Sequence, residues 1–344
     1  MGMLIDGRWT EGERLTQAGA FVRKPSVYGD GLTTAAIAAV GSAPGRFHLI
    51  ASLSCPWSHR TILMRALKGL SGILPLQIAG GVRVEGYPVN AGASWQVPGA
   101  KESIVHVHQL YTLSDPAHSG RATVPLLWDG ATGRIVSNAS AKIMRALDAV
   151  PASEGACDFT LAPGSLRAEI DALNGTLHER LADGVYRAGL AERQSAYDDA
   201  VEGVFGMLDE LERRLSGNRY LFGTVVTETD WHLFAVLVRF DAVYNTHFRC
   251  TRRRLVDYPN LWAYARDLHA WAGIAETVDF TVIREGYYLN DGDHNPHGIL
   301  AEAPVADWRA RHDRAALGPA RVALRSGTLV EIAPETLACG GAPA

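Results

Sequence analysis

The chain has 344 residues, 47% hydrophobic and 20% charged, with a formal net charge of −4. That length permits two domains with a sizeable core, and the mild charge excludes a general attraction to nucleic acid. Neither an N-terminal signal pattern nor an apolar run of membrane-spanning length occurs, so the expectation is a protein of the reducing cytoplasm, off the membrane.

Residues 1–44 mix Gly, Pro and polar residues without periodicity and are expected to wrap over the first domain. Residues 45–52 predict a strand. Residues 56–70 predict a helix, with Ile62, Leu63, Ala66, Leu67 and Leu70 at helical spacing, and 74–79 a second strand. The stretch 80–103 is Gly- and Pro-rich, a loop length that is usually functional or disordered. Helical pattern returns over 104–113. Residues 123–128 read as a strand whose Pro125 signals an edge, a bulge or a cis bond. A turn at Asp129-Gly130, a partner strand at 134–136 and a helix at 140–150 follow. The order β-α-β-α-β-β-α describes one small mixed sheet with helices.

Residues 151–164 read as a linker, and 165–285 as nearly all helical. Residues 197–215 are strongly amphipathic and end at Gly217. Thr227 and Asp230 form a capping box before the apolar run 231–240, which is folding chemistry. Another helix starts at Pro259-Asn260 and runs through His269. Residues 286–300 look loop-like, and 305–344 form a tail with a helix at 306–316. The expected organisation is a wrapping segment (1–44), a thiol-binding domain (45–150), the linker (151–164), a helical substrate domain (165–300) and a C-terminal extension (301–344).

The chemistry concentrates in Ser54-Cys55-Pro56-Trp57-Ser58-His59-Arg60. A strand ends there and a helix begins, so the Cys55 thiol stands at a helix N-terminus, where exposed N–H groups favour the thiolate. Pro56 suits the first turn. His59 and Arg60 add positive charge. Ser58 occupies the place of a second cysteine in a dithiol oxidoreductase, so the site reads as monothiol. The competing reading is a buried cysteine that packs. Cys55, Cys157, Cys250 and Cys339 are widely spaced, no metal-ligand spacing is visible, and no metal is expected.

This motif, Gly120 through Trp128, Gly184-Val185-Tyr186-Arg187-Ala188-Gly189, Asp230 through Asn260, Gly273 through Val278 and Tyr287-Tyr288 occur in an order that resembles the Xi class of the glutathione transferase superfamily, the glutathionyl-hydroquinone reductases. The resemblance spans about residues 45–300. It implies an α/β thioredoxin-like N-terminal domain plus an all-α C-terminal domain, the glutathione transferase fold, in a homodimer. It implies Cys55 as nucleophile, with Tyr186 and Tyr287 catalytic and Tyr186, Tyr244 and Tyr287 lining an aromatic-substrate pocket; each is alternatively a core tyrosine. Trp57, Arg121, Val124, Pro125 and Ser140 are the implied contacts of the thiol cosubstrate, although Trp57 could equally pack. The implied reaction removes a low-molecular-weight thiol from a hydroquinone-like aromatic adduct through a Cys55 mixed disulfide. Addition of a thiol to an electrophile, and a non-catalytic binding protein that retains the fold, are the alternatives.

Three departures from the class are visible. Asn-Glu-Ser at the helix start becomes Asn138-Ala139-Ser140, which removes a carboxylate partner for the γ-glutamyl ammonium. Such a loss costs about 1.5–3 kcal/mol. The Gly-Trp of the long loop has Gly86-Tyr87 as its local match, and the histidine before the paired tyrosines is Gly286. Glutathione is therefore one expected cosubstrate. Mycothiol, whose cysteine amine is acetylated, is the other.

Overall fold

The computed structural model describes residues 2–12, 16–23, 25–151, 158–292 and 294–336. Cys157, Cys339 and residues 152–157 of the expected linker lie outside the described residues. Strand β1 (Phe47–Ala51) is an almost continuous apolar run, as suits a strand covered on both faces. It sits inside a four-stranded sheet of order β4-β3-β1-β2, with β2 at Leu76–Ile78, β3 at Leu126–Asp129 and β4 at Arg134–Ser137. β1 runs parallel to β2, pairing Leu49 with Leu76, and antiparallel to β3, pairing Leu49 with Leu127. The mixed sheet matches the expected thioredoxin-like topology.

Helix α1 (Pro56–Leu67) follows β1 and buries Ile62, Leu63, Met64 and Leu67. Gly69, at φ 64°, turns the chain after it, a left-handed conformation that glycine takes without a Cβ penalty. Helices α2 (His108–Ser114) and α3 (Ser140–Ala149) complete this half.

The second half is helical: α4 (Arg167–Leu177), α5 (Gly184–Gly189), α6 (Gln194–Leu215), α7 (Glu228–Arg239), α8 (Pro259–His269) and α9 (Phe280–Tyr288). Helix α7 is buried on nearly every side, the pattern of a core helix. Its expected capping box is present: the Asp230 carboxylate accepts from Thr227 N at 2.8 Å, from Leu221 N at 2.9 Å and from the Tyr264 hydroxyl at 2.9 Å. Because α7 packs on α1 and α4, the helical half leans directly on the helix behind Cys55.

Two terminal segments carry structure that the sequence pattern does not show. Residues 1–44 contain antiparallel hairpins, Gly2–Ile5 with Arg8–Glu11 and Thr16–Gln17 with Ala20–Phe21, then a helix at Thr34–Ser42. Such short strands hold through tertiary pairing and leave no period to read. The tail has no α-helix at 306–316. Ala320–Leu324 and Leu329–Ile332 instead form a hairpin that pairs with Phe159–Thr160, inside the expected linker. Arg314 fastens the tail, donating to Leu215 O at 2.8 Å and Arg219 O at 3.0 Å. Among the described residues no helix is long and apolar enough to cross a membrane.

Candidate active site

Cys55 is the N-cap of α1, in extended conformation, with Pro56 in the first turn and its carbonyl accepting from His59 N at 2.9 Å. The thiol is 8% exposed and lies 3.7 Å from Val124 O. The Val124–Pro125 peptide is cis, one of the three outcomes the sequence left open. Cys55 opens onto a cavity of about 430 Å³, a size that suits a small-molecule ligand. Cys250 is the other free cysteine among the described residues, and burial pushes its thiol up to about 12, so it is an inert packing residue. Ser58 is fully buried, and Cys55 is a free thiol that forms no disulfide among the described residues.

Of the residues expected at the site, Cys55, Trp57, Arg121, Val124, Tyr186 and Tyr287 line this cavity. Pro125 is buried behind Val124. Tyr244 is wholly buried in a second layer, not on the cavity wall. Ser140 does not line the cavity either; its hydroxyl accepts from Arg60 Nε at 3.1 Å and from Nη2 at 2.5 Å. Ala139 caps α3 without a side-chain bond.

The tyrosines form a hydroxyl chain. Tyr287 stands between Tyr186, at 2.6 Å, and Tyr244, at 3.1 Å. Burial is the main force raising all three above the ordinary phenol range, so each holds its proton at neutral pH. Phe248 packs among them, its ring 5.1 Å from Tyr186, 5.6 Å from Tyr244 and 5.6 Å from Tyr287.

The cavity is cationic on one side. Arg23, Arg83 and Arg121 line it, against Glu11 and Asp291, and Asp291 is already held by His247 at 2.9 Å. The Arg23 guanidinium lies 4.6 Å over Trp57 and 5.1 Å from the Tyr186 ring, and Arg23 pairs with Asp183 at 2.6 Å. Arg60 covers the same indole at 4.9 Å, so Trp57 both packs and lines the site. The Arg83 guanidinium lies 4.1 Å over Tyr87, and its Nε is buried without a hydrogen-bond partner. Trp9, Arg23, Arg83, Tyr87 and Phe248 were not read as site residues. Only Gly86-Tyr87, the altered loop motif, carried a local signal.

His59 does not add the expected positive charge. Arg239 can only donate, so its 3.0 Å contact makes His59 Nδ1 an acceptor, and Nε2–H donates to Thr277 Oγ1 at 2.9 Å. Burial first, then Arg239 and His269, hold the ring well below the usual histidine range. Arg60 remains a cation, although burial lowers it to about 10. Arg239 does not pair with Asp241. It donates to Ser54 O at 2.9 Å and Leu53 O at 2.7 Å, the two carbonyls just before Cys55, while Asp241 accepts from Leu255 N at 2.6 Å.

The neutral His59 has a consequence for pH. Below pH 6.5 the unfolded chain takes up a proton at this position and the folded chain does not, so stability falls as pH falls. The expected loss is on the order of 1 kcal/mol per pH unit just below 6.5. Urea unfolding at pH 7.0 and 5.5 checks it: the stability gap between wild type and His59→Gln should shrink by on the order of 1 kcal/mol at the lower pH.

The chain is similar to known proteins along most of its length. Residues 54–150 match the model of the glutathione S-transferase N-terminal domain, and 194–267 that of the C-terminal domain. The chain is 40% identical over 337 residues to glutathionyl-hydroquinone reductase YqjG of Escherichia coli K12, covering 91% of this chain and 98% of that protein. It is 39% identical over 307 residues to glutathionyl-hydroquinone reductase PcpF of Sphingobium chlorophenolicum, covering 89% and 97%. The glutathione-bound structure of YqjG superposes with a TM-score of 0.73 over 79% of this chain and 89% of that one. The Xi class transferase of Natrialba magadii gives 0.76 at 34% identity, over 92% and 97%.

Proposed function

The chain belongs to the glutathione transferase superfamily, in its Xi class of oxidoreductase-type enzymes, and from that premise we propose that it reduces glutathionyl-hydroquinone-type aromatic adducts with Cys55 as nucleophile. The observation that carries the reading is convergence: the Cys55 thiol, the Tyr186–Tyr287 hydroxyl pair and three arginines open on one cavity. The names of the two reductases support the substrate class.

In the first step the Cys55 thiolate attacks the sulfur of the adduct. A Cys–S–S–glutathione bond forms, the sulfur–aryl bond breaks, and the electron pair and a proton end on the ring carbon, giving Ar–H. In the second step a free thiol attacks the mixed disulfide, returns Cys55 as a thiol and leaves oxidised glutathione. The net change reduces the aryl carbon and joins the adduct's sulfur and one free thiol in a disulfide. No second protein cysteine is needed, in keeping with Ser58. Tyr186 and Tyr287, kept protonated by burial, donate to the ring oxygens as charge moves onto them and so assist protonation of the leaving carbon. Tyr244 orients Tyr287 from behind. Tyr287→Phe is expected to lower kcat/KM by about 10²-fold while Cys55 alkylation by iodoacetamide keeps its rate. Steady-state kinetics beside an alkylation time course makes the comparison.

The thiol is glutathione in this reading. Arg23, Arg83 and Arg121 suit its carboxylates, groups that mycothiol lacks. One feature favours mycothiol: the start of α3 offers no acid for an ammonium, and Ser140 is taken by Arg60. Mass spectrometry of the protein incubated with each oxidised thiol decides. A Cys55–glutathione adduct is expected, and an adduct with mycothiol alone would overturn the assignment. A stable thioether product, in place of a disulfide, would mark a conjugating enzyme. No adduct and no turnover would mark a binding protein. The homodimer expected from the resemblance belongs to this reading, and light scattering tests it.

A further inference from the structure

Outside the catalytic machinery, three side chains converge at the cavity mouth. Glu85, His106 and His108 each bring one ligand atom within 4.8 Å of the others. Glu85 Oε2 lies 3.1 Å from His108 Nε2 and 4.0 Å from His106 Nδ1. The two imidazoles stack with centroids 5.7 Å apart and an interplanar angle of 13°. We propose that Glu85, His106 and His108 form a Zn²⁺ site that fastens the mouth of the thiol cavity.

Two imidazole nitrogens and one carboxylate oxygen are a donor set Zn²⁺ favours, with water as a fourth ligand. Bonds of about 2.0–2.1 Å in a tetrahedron put donors about 3.3 Å apart, so the cluster closes with shifts of at most about 1.5 Å. The Glu85–His108 separation already fits. Burial keeps the His108 imidazole below the usual range, so a lone pair is available at neutral pH. Glu85 is half-exposed, which gives the ion a path from solvent.

The position gives the site its role. Glu85 lies between Val84 and Gly86, both on the cavity wall. His106 pairs through its backbone with Pro88, and His108 opens α2. The His108 ring stacks at 5.0 Å on Trp9, another wall residue from the N-terminal hairpin. A bound ion therefore ties two segments of the chain, at 85 and 106–108, at a rim where Trp9 stacks on one of them. The sequence alone shows no such spacing, because the third ligand comes from a distant loop.

The test is Zn²⁺ titration of the full-length Cys55→Ser protein, which removes the competing active-site thiol. Calorimetry gives the stoichiometry, and Trp fluorescence follows the Trp9–His108 stack. The expected result is one equivalent bound with micromolar affinity, weakened at least tenfold by Glu85→Ala and by His106→Ala. Both residues retain solvent access, and circular dichroism verifies that the variants fold. Absence of saturable binding up to about 1 mM, or binding that both variants leave unchanged, overturns the proposal. Turnover does not enter the readout, so this result and the reductase assignment fail independently.

Discussion

The Cys55→Ser protein is expected to lose turnover of a glutathionyl-aryl substrate by at least about 10³-fold while its fold stays intact. Serine is nearly isosteric, and the thiol makes one weak contact, to Val124 O at 3.7 Å. Stability therefore changes little. The chemistry is another matter: a hydroxyl does not attack a thioether sulfur to give a mixed disulfide, so the first step has no substitute. Stopped assays with the glutathionyl adduct, beside a thermal melt, separate the two effects. Retained turnover in the serine protein would refute the assignment of the nucleophile.

Arg239→Met is expected to produce the largest loss of stability, about 3–5 kcal/mol, with kcat lowered about tenfold to a hundredfold in the protein that remains folded. Arg239 is fully buried and pairs with no carboxylate among the described residues. Its guanidinium instead donates to Leu53 O, Ser54 O, Ala235 O and His59 Nδ1. Methionine fills the space and strands the two loop carbonyls away from water. Those carbonyls lead directly into Cys55, so the same change loosens the nucleophile. Arg239→Lys should recover only part of the stability, since one ammonium cannot span acceptors arranged around a planar fork. Urea unfolding of all three proteins, with kcat measured under folding conditions, checks both halves. Equal stability of wild type and the methionine variant would sink this account.

The site was legible where chemistry follows local order. Cys55 could be placed because a strand, a proline and an apolar helical face surround it in sequence. Tyr186 and Tyr287 came from ordered motifs, and both reached the cavity wall. What stayed hidden depends on burial and on contacts between distant segments. His59 looked cationic, but burial, and then Arg239 on α7 far along the chain, keep it neutral. Ser140 looked like a ligand contact because nothing local announces that Arg60 occupies it. Arg23 and Trp9 reach the cavity from short hairpins without a hydrophobic period. The four-stranded sheet was read nearly strand for strand, with boundaries shifted by a few residues. The hairpin at Ala320–Leu324 and Leu329–Ile332 was not legible, because two short strands have little identity until they meet Phe159–Thr160.

That last pairing has a consequence for synthesis. Phe159 and Thr160 leave the ribosome long before their partners, Leu324 and Ala323. At about 5–20 residues per second the edge at 159–160 waits roughly 10–30 s for them. Arg314 likewise reaches the carbonyls of Leu215 and Arg219 only after a long interval of elongation. The helical half of the nascent chain thus carries open hydrogen-bonding groups until Arg314 and the hairpin strand at Ala320–Leu324 emerge.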